Sequence, residues 1–570
     1  MRGADREAEA FYRQLMRGGP RARRADIESE LFFRDLVGGA PVRSPRRAPA
    51  GGGEAEQAPA PAFPHFGLLE HFWGGDPKSF DEEKQARWGV VLDPSKLDPR
   101  FDDTDHSVQA AVDAVLAEPG TGAEIKALRF SIAKIDWHPG GGFAKVAYGG
   151  NTLPIPREDE KAVNTGPSAL TEPRHTETWE PASLGKFAIM YAAFQLRFDI
   201  MAMIERNRRE ATARKERPWA TPAEVQAGVT AAWANRLVRP GGPRVVVRPG
   251  HPKLELEGSV VLREGRPISL TLLPGRLRST RTVSGPPQID QIFDFVPKPD
   301  GTWWVHFKGE YDHDPAGAVR NVWDAAGFDR LRNRLHHHKS TFWAELTPAE
   351  LAHLSFFDLL WLMIYWSHDH AGSIVLERLG FLYVNSLMWQ SGLFDPAGAG
   401  GLFLARNYGP DGHWEFWDIK GDGTRGLLVP SQPRFTPDRG GADRISGGIS
   451  ASVGTRFMVL LYRGLLTTGM SSVRMLMLLD RMHGSADRSP LAEAFTVGSA
   501  NLSDYAPKFE HVYSKIALGG KRTDGKTNSG DAALLYLKHP TAPRTLAATC
   551  LDSHDFGPMQ QLMKKVADRL

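Results

Sequence analysis

Ser183 and Lys186 stand at the head of the run Phe187-Ala188-Ile189-Met190-Tyr191-Ala192-Ala193-Phe194, which contains no charge, proline or glycine. An apolar helix of this kind has to be enclosed by other parts of the chain. Residues three apart share a helix face, so the lysine amine can reach the serine hydroxyl. A serine alone is a weak nucleophile near neutral pH, and an adjacent base activates it. A lysine becomes such a base when burial disfavours its charged form. The helix N-terminus adds backbone N–H groups that favour a developing oxyanion. A serine and lysine at this spacing arise by chance about once or twice in a chain of this length, so the pair alone does not specify catalysis.

The segments around the pair carry more information. Leu128 to Trp137 alternates as a strand does, and Gly140-Gly141-Gly142 leads to a second short strand, Phe143 to Tyr148. Downstream lies Tyr365-Trp366-Ser367-His368-Asp369, followed by a helical stretch ending Arg378-Leu379-Gly380 and the continuation Val384-Asn385-Ser386. Ser450 to Gly464 reads as a helix that opens on small hydroxyl residues. Tyr513-Ser514-Lys515-Ile516-Ala517-Leu518-Gly519-Gly520 reads as a strand with a return strand at Asp531 to Leu537, and an amphipathic helix from Met559 to Leu570 closes the chain. In this order the segments resemble class A β-lactamases and their penicillin-binding relatives, over residues 125–205 and 345–570. The resemblance implies an α/β (α+β) fold, with an antiparallel sheet flanked by a helical lobe. It implies Ser183 as nucleophile, Lys186 as base, and Ser367 and Lys515 completing the catalytic group. His368, Asp369, Ile516, Ala517 and Leu518 then fall at substrate-binding positions, with the backbone N–H groups of Ser183 and Leu518 as the oxyanion hole.

Several of those positions depart from the family pattern. Where the family has an asparagine that donates to a substrate carbonyl, Asp369 offers a carboxylate that cannot donate when ionised. The hydroxyl expected after Lys515 is replaced by Ile516, and Ala517 stands where the family has glycine. No counterpart of the deacylating glutamate is identifiable; Glu415, in His413-Trp414-Glu415-Phe416-Trp417, lies in the right region with different surroundings.

Composition excludes several classes. With 70 Lys+Arg against 67 Asp+Glu, the formal charge of +3 gives no electrostatic reason for a nucleic-acid partner. The single Cys550 excludes an intramolecular disulfide framework, and its apolar setting, Thr545 to Leu551, predicts a core residue. No apolar stretch is read as a membrane span, and the arginine-containing N-terminus has no apolar signal core, so a cytoplasmic location is expected. No cofactor is implied.

The N-terminal arm, residues 1–64, holds a repeat. Ala4-Asp5-Arg6-Glu7-Ala8-Glu9-Ala10-Phe11-Tyr12-Arg13-Gln14-Leu15 recurs 21 residues later as Ala25-Asp26-Ile27-Glu28-Ser29-Glu30-Leu31-Phe32-Phe33-Arg34-Asp35-Leu36, and each copy runs on to a Gly-Gly pair. Each reads as a short helix with an acidic start, a glycine stop and an aromatic–leucine face, Phe11 with Leu15 and Phe32 with Leu36. Helices this short are marginal alone. A Pro/Ala/Gly linker from Ala40 to Pro64 is expected to be disordered. The arm reads as a docking tail for a protein partner or as helices packed on the rest of the chain. Residues 65–124 form a further extension.

Residues 206–344 exceed what the resemblance requires. Arg206 to Val238 should be helical, with short strands at 244–247, 254–256, 259–262, 269–272 and 303–307. Asp312-His313-Asp314 and His336-His337-His338 lack the spacing of a metal site, and Trp303-Trp304 and Trp414 to Trp417 are more readily core than ligand platforms. Three readings stand: a serine hydrolase acting by acyl transfer on a small-molecule or peptide amide or ester; a catalytically degraded relative retained for binding; and a cargo or scaffold protein that docks through its N-terminal repeats.

Overall fold

The computed structural model describes residues 105–138, 142–154, 173–179, 181–237, 287–313, 348–391, 447–462, 469–482, 488–496, 505–521, 527–538, 544–553 and 556–570, with shorter pieces at 244–247, 254–257, 276–279, 319–323, 330–331, 335, 393–395, 400–404, 414–419, 425–427 and 466–467. The N-terminal repeats with Phe11, Leu15, Phe32 and Leu36, and His336 to His338, lie outside these residues.

Five strands make the central sheet: β1 (Arg129–His138), β2 (Gly142–Gly150), β3 (Phe509–Lys521), β4 (Thr527–Leu537) and β5 (Arg544–Ser553). Their order is β3-β4-β5-β1-β2, and every pairing is antiparallel. Strand β1 therefore lies beside β5, more than four hundred residues away in sequence, with Phe130 opposite Cys550, and Lys515 lies opposite Ala532. The 128–137 and 511–518 segments share one sheet, and Cys550 is fully buried.

Alternation along the strands divides the core in two. Phe130, Ile132, Val512, Ala533, Leu535 and Ala548 face α1 (Ser107–Ala117) and the terminal helix Phe556–Ala567, which contribute Val108, Val112, Met559 and Leu562. The first helix falls in the 65–124 extension of the sequence reading, yet it is part of the sheet's own core. Ala133, Ile135, Tyr513, Ala517 and Leu534 face the helical lobe. At its centre is α2 (Lys186–Arg214), whose run from Leu184 to Phe194 is buried throughout, with Phe187 stacked on Phe457 at 4.8 Å. By length and apolarity the helical stretch Ala182–Arg214 could cross a membrane, contrary to the sequence reading, but 88% of its apolar window is buried inside this fold.

Around α2 pack α3 (Phe356–Tyr365), α4 (Asp369–Leu379), α5 (Ala451–Tyr462) and α6 (Gly469–Leu479). Ser355 opens α3 with a capping box, its hydroxyl accepting from Asp358 N and the Asp358 carboxylate accepting from Ser355 N. Gly380, at φ 87°, turns the chain out of α4 in a conformation that favours glycine. A Cβ on Gly454 would lie 2.7 Å from Thr549 Oγ1, so glycine lets α5 lie against β5.

The insertion is not a self-contained unit. Its helical part is broken: α2 ends at Arg214, Lys215 takes φ 58°, and a separate helix covers Pro222–Leu237. Strands Arg244–Val247, Leu254–Glu257 and Arg276–Ser279 join Trp414–Ile419 and Arg425–Leu427, from outside the insertion, in a second antiparallel sheet. The expected strands at 259–262 and 269–272 lie outside the described residues. The hairpin Phe293–Pro297 and Trp303–Phe307 packs beside α2 through Phe307 and Phe194. There Glu310, fully buried, accepts from Arg197 at 2.9 Å, Trp323 Nε1 at 2.5 Å and Phe307 N at 2.8 Å, with Arg474 at 3.3 Å. Burial opposes the Glu310 charge, but the two arginines hold its carboxyl below the usual range.

One buried cation ties lobe to sheet. Arg481 donates from Nε to Ser514 O on β3 (2.9 Å), and from its two terminal nitrogens to Tyr365 O (3.0 Å) and Ile364 O (3.2 Å) at the end of α3. The planar fork satisfies carbonyls of the helix end and the strand together. Arg481→Met should strand these carbonyls and lower the unfolding free energy by roughly 3 kcal/mol or more, since hydrogen bonds to charged groups contribute about 1.5–3 kcal/mol each and do not add simply. Arg481→Lys, without the fork, should recover only part; denaturant titration of the three proteins measures both effects.

Candidate active site

Ser183 lies in a single 3-10 turn, Ala182–Gly185, immediately before α2. Ala182 takes φ 41°, outside the usual range for a residue with a side chain. Ser367, the other hydroxyl of the group, takes φ 57° just after α3, where glycine is the common choice. Left-handed conformations of non-glycine residues cost on the order of 1–3 kcal/mol and tend to cluster at functional sites.

The four sequence-identified residues converge. Lys186 Nζ is 3.1 Å from Ser183 Oγ and donates to Ser367 O at 2.6 Å. Ser367 Oγ lies 2.9 Å from Ser183 Oγ, and Lys515 Nζ donates to it at 2.7 Å. Lys186 and Lys515 are fully buried and Ser183 is 8% exposed. Three parts of the fold supply these groups: the head of α2, the turn after α3, and edge strand β3. Lys515 shares the lobe-facing side of β3 with Tyr513 and Ala517, which is why it reaches Ser367.

The substrate-binding assignments fare differently. Asp369 commits Oδ1 to Lys186 Nζ at 2.6 Å, while its side chain remains 50% exposed. His368 caps α4, its Nδ1 accepting from Ala371 N, so that ring nitrogen is occupied within the chain. Ile516 enters the group only through its carbonyl, which accepts from Lys515 at 3.0 Å. Strand alternation places its side chain with Val512 and Ser514, away from the face that carries Lys515; adjacency in sequence to a catalytic lysine does not put a strand residue on the same side. Ala517 is buried on the lobe face, and Leu518 is 45% exposed at the edge of the sheet. Glu415 belongs to the second sheet, in register with Arg278, and not to a loop over Ser183.

Two residues near this group were not anticipated. Arg481 fixes the turn after α3 against β3, as described above. Behind β3, fully buried Asp531 accepts from Ser514 Oγ (2.7 Å), Ser489 Oγ (2.7 Å) and Leu491 N (3.1 Å). Neither carries a local sequence signal, because each acts through backbone or side chains distant in sequence.

Among solved structures, this chain is similar to a β-lactamase from Sphaerobacter thermophilus DSM 20745 (14% identity, TM-score 0.31, covering 81% of this chain and 94% of that one). It is also similar to PBP-A (12% identity, TM-score 0.31, 82% and 96%) and to a representative of class A β-lactamase from Bacteroides cellulosilyticus DSM 14838 (10% identity, TM-score 0.31, 81% and 97%). No family model and no curated protein matches the chain. The functional reading rests on the side-chain geometry.

Burial pushes Asp531 up to about 6, against the pull of its Ser489, Ser514 and Leu491 hydrogen bonds. Its folded value is above the unfolded one, so the native state binds the extra proton between about pH 4 and about pH 6, and stability falls as pH rises through that window. About two units correspond to on the order of 3 kcal/mol. Asp531→Asn should flatten this part of the stability–pH curve; an unchanged slope in denaturant titrations would show that Asp531 does not titrate there.

Proposed function

We propose that this protein is a serine hydrolase that acts by acyl transfer on an amide or ester. The observation that carries the reading is the 3.1 Å contact between Lys186 Nζ and Ser183 Oγ at the buried head of α2. Ser367 O can only accept, and so can the Asp369 carboxylate when ionised, so these contacts take two N–H groups of Lys186. Ser183 Oγ is a further neighbour of the nitrogen at 3.1 Å, and a neutral amine could turn its lone pair to the Ser183 hydroxyl. In the proposed reaction Ser183 Oγ attacks the carbonyl carbon as its proton moves to Lys186. The tetrahedral oxyanion is held by the backbone N–H groups of Ser183 and Leu518. When the acyl–heteroatom bond breaks, Ser367, held by Lys515, passes a proton to the leaving group, and Lys186 restores the Ser367 proton. Water then hydrolyses the acyl-enzyme.

A fluorophosphonate probe should label the wild type at Ser183. Ser183→Ala should abolish labelling while the fold is retained, and Lys186→Met should slow it by on the order of a hundredfold to ten-thousandfold. Labelling that persists in the alanine variant would place the nucleophile elsewhere. Ordinary penicillins should be poor substrates: Asp369 presents an acceptor where a donor would be needed, and a buried polar group left without its hydrogen bond costs about 1–3 kcal/mol. With no deacylating glutamate identified, any acyl-enzyme should be long-lived. Rapid turnover of a simple penicillin would overturn both statements.

A second reading, a catalytically degraded relative that binds through this fold, is favoured by the Lys186–Asp369 ion pair, which opposes the neutral amine. The same labelling experiment decides between the two. The repeats at Phe11/Leu15 and Phe32/Leu36 are proposed to dock a protein partner, with two tethered copies binding a multivalent partner more tightly than one. Phe11→Ala combined with Phe32→Ala should remove partner recovery without lowering the melting temperature; a fall of several degrees would make these helices structural parts.

A further inference from the structure

Resting on the reading of Ser183 and Lys186 above, we propose that Asp369 is a built-in brake on the site: its carboxylate holds Lys186 as the ammonium ion, so that Ser183 is poorly reactive at neutral pH and gains reactivity in alkaline solution. Asp369 acts through Lys186 and is in that sense a positioning residue.

Lys186 is fully buried, and burial by itself favours the neutral amine. Lys515 works in the same direction. The two lysine nitrogens lie 3.4 Å and 2.7 Å from the same Ser367 Oγ, hence at most their sum apart, about 6 Å, where like charges oppose one another. With those influences alone, Lys186 would rest as an amine able to take the Ser183 proton.

Asp369 reverses that balance. Its Oδ1 sits 2.6 Å from Lys186 Nζ, the distance of a charge-assisted hydrogen bond. The carboxylate is the first residue of the eleven-residue helix α4, where the helix dipole favours negative charge. Its half-exposed side chain keeps contact with water, so it bears little of the desolvation that Lys186 suffers. Among the described residues, the charged or titratable groups placed close to this point include His368, whose Nδ1 is tied to Ala371 N, with His370 beside it, and Lys515. Arg481 lies between the end of α3 and β3, on the Ser514 carbonyl, and Asp531 lies behind β3, on the Ser514 hydroxyl. Of these groups only Asp369 places a carboxylate directly on Lys186. An opposite charge at such a distance displaces a titration by about one to three pH units.

Replacing the carboxylate by its neutral isostere should release the brake. The full-length wild type, Asp369→Asn, Asp369→Glu and Ser183→Ala would be compared for fluorophosphonate labelling rate from about pH 5 to about pH 10. In Asp369→Asn the rising limb of the rate should move to lower pH by about one to three units, with labelling at neutral pH faster by about tenfold or more. Asp369→Glu, which keeps the charge, should retain the wild-type limb, and Ser183→Ala should remain unlabelled. A limb at the same pH in wild type and Asp369→Asn would overturn the proposal. So would slower labelling of Asp369→Asn at every pH, which would make the carboxylate a participant in proton transfer. A second readout does not depend on reactivity: the Lys186 ammonium signal, assigned by its loss in Lys186→Met, is titrated by side-chain NMR. It should lose its proton at lower pH in Asp369→Asn than in wild type. If no form is labelled at Ser183, the acyl-transfer reading fails, and the lysine titration still decides whether Asp369 holds the charge.

Discussion

Enclosure of α2 is the constraint on which the rest of this structure depends. From Leu184 to Phe194 the helix is buried on every side, and such a helix forms only where the chain surrounds it. The five-stranded sheet covers it on one side and α3 to α6 on the others. The same enclosure takes the amino group of Lys186 out of water at the helix head. A buried amine requires partners, and it finds them in the turn after α3. The packing that stabilises the lobe thereby also assembles the group around Ser183.

Two buried polar groups join distant parts of the chain. Arg481 links the end of α3 to β3, so the position of Ser367 relative to Lys515 depends on its fork. Glu310 links the insertion to α2 and α6 through Arg197 and Arg474. Buried ion pairs contribute uncertain net stability, but breaking one by removing a single partner is costly. Their consequence here is register: three separate stretches are held so that two hydroxyls and two amines meet within hydrogen-bonding distance.

The local conformations around the hydroxyls point the same way. Ala182 and Ser367 both carry positive φ, one beside the nucleophile candidate and one at the bridging serine. The surrounding contacts over-determine this geometry: Leu184 N donates to Pro181 O, His368 N to Leu362 O, and Lys186 to Ser367 O. A site under such local strain is bound up with the packing behind it, which couples the chemistry of Ser183 to the stability of the lobe.

The strands of the central sheet, the apolar serine helix and its spacing to Lys186 were legible in the sequence, because periodicity and i, i+3 placement are local properties of the chain. The order of segments also pointed to Ser367 and Lys515 as partners of Ser183. Which side chains actually meet was decided by tertiary structure. Asp369 looks in sequence like a substrate contact, yet folding seats it on Lys186; Ile516 is next to Lys515 in the chain but belongs to the other face of the strand. Arg481 and Asp531 have no local signature, since their partners are backbone carbonyls and hydroxyls brought close only by packing. The insertion reads as a separate block, whereas its second sheet is completed by Trp414–Ile419, more than a hundred residues downstream. Sequence pattern determines which elements form and what each can bury; contacts between distant elements depend on how those buried faces pack, and that alone decides the charge balance at Lys186.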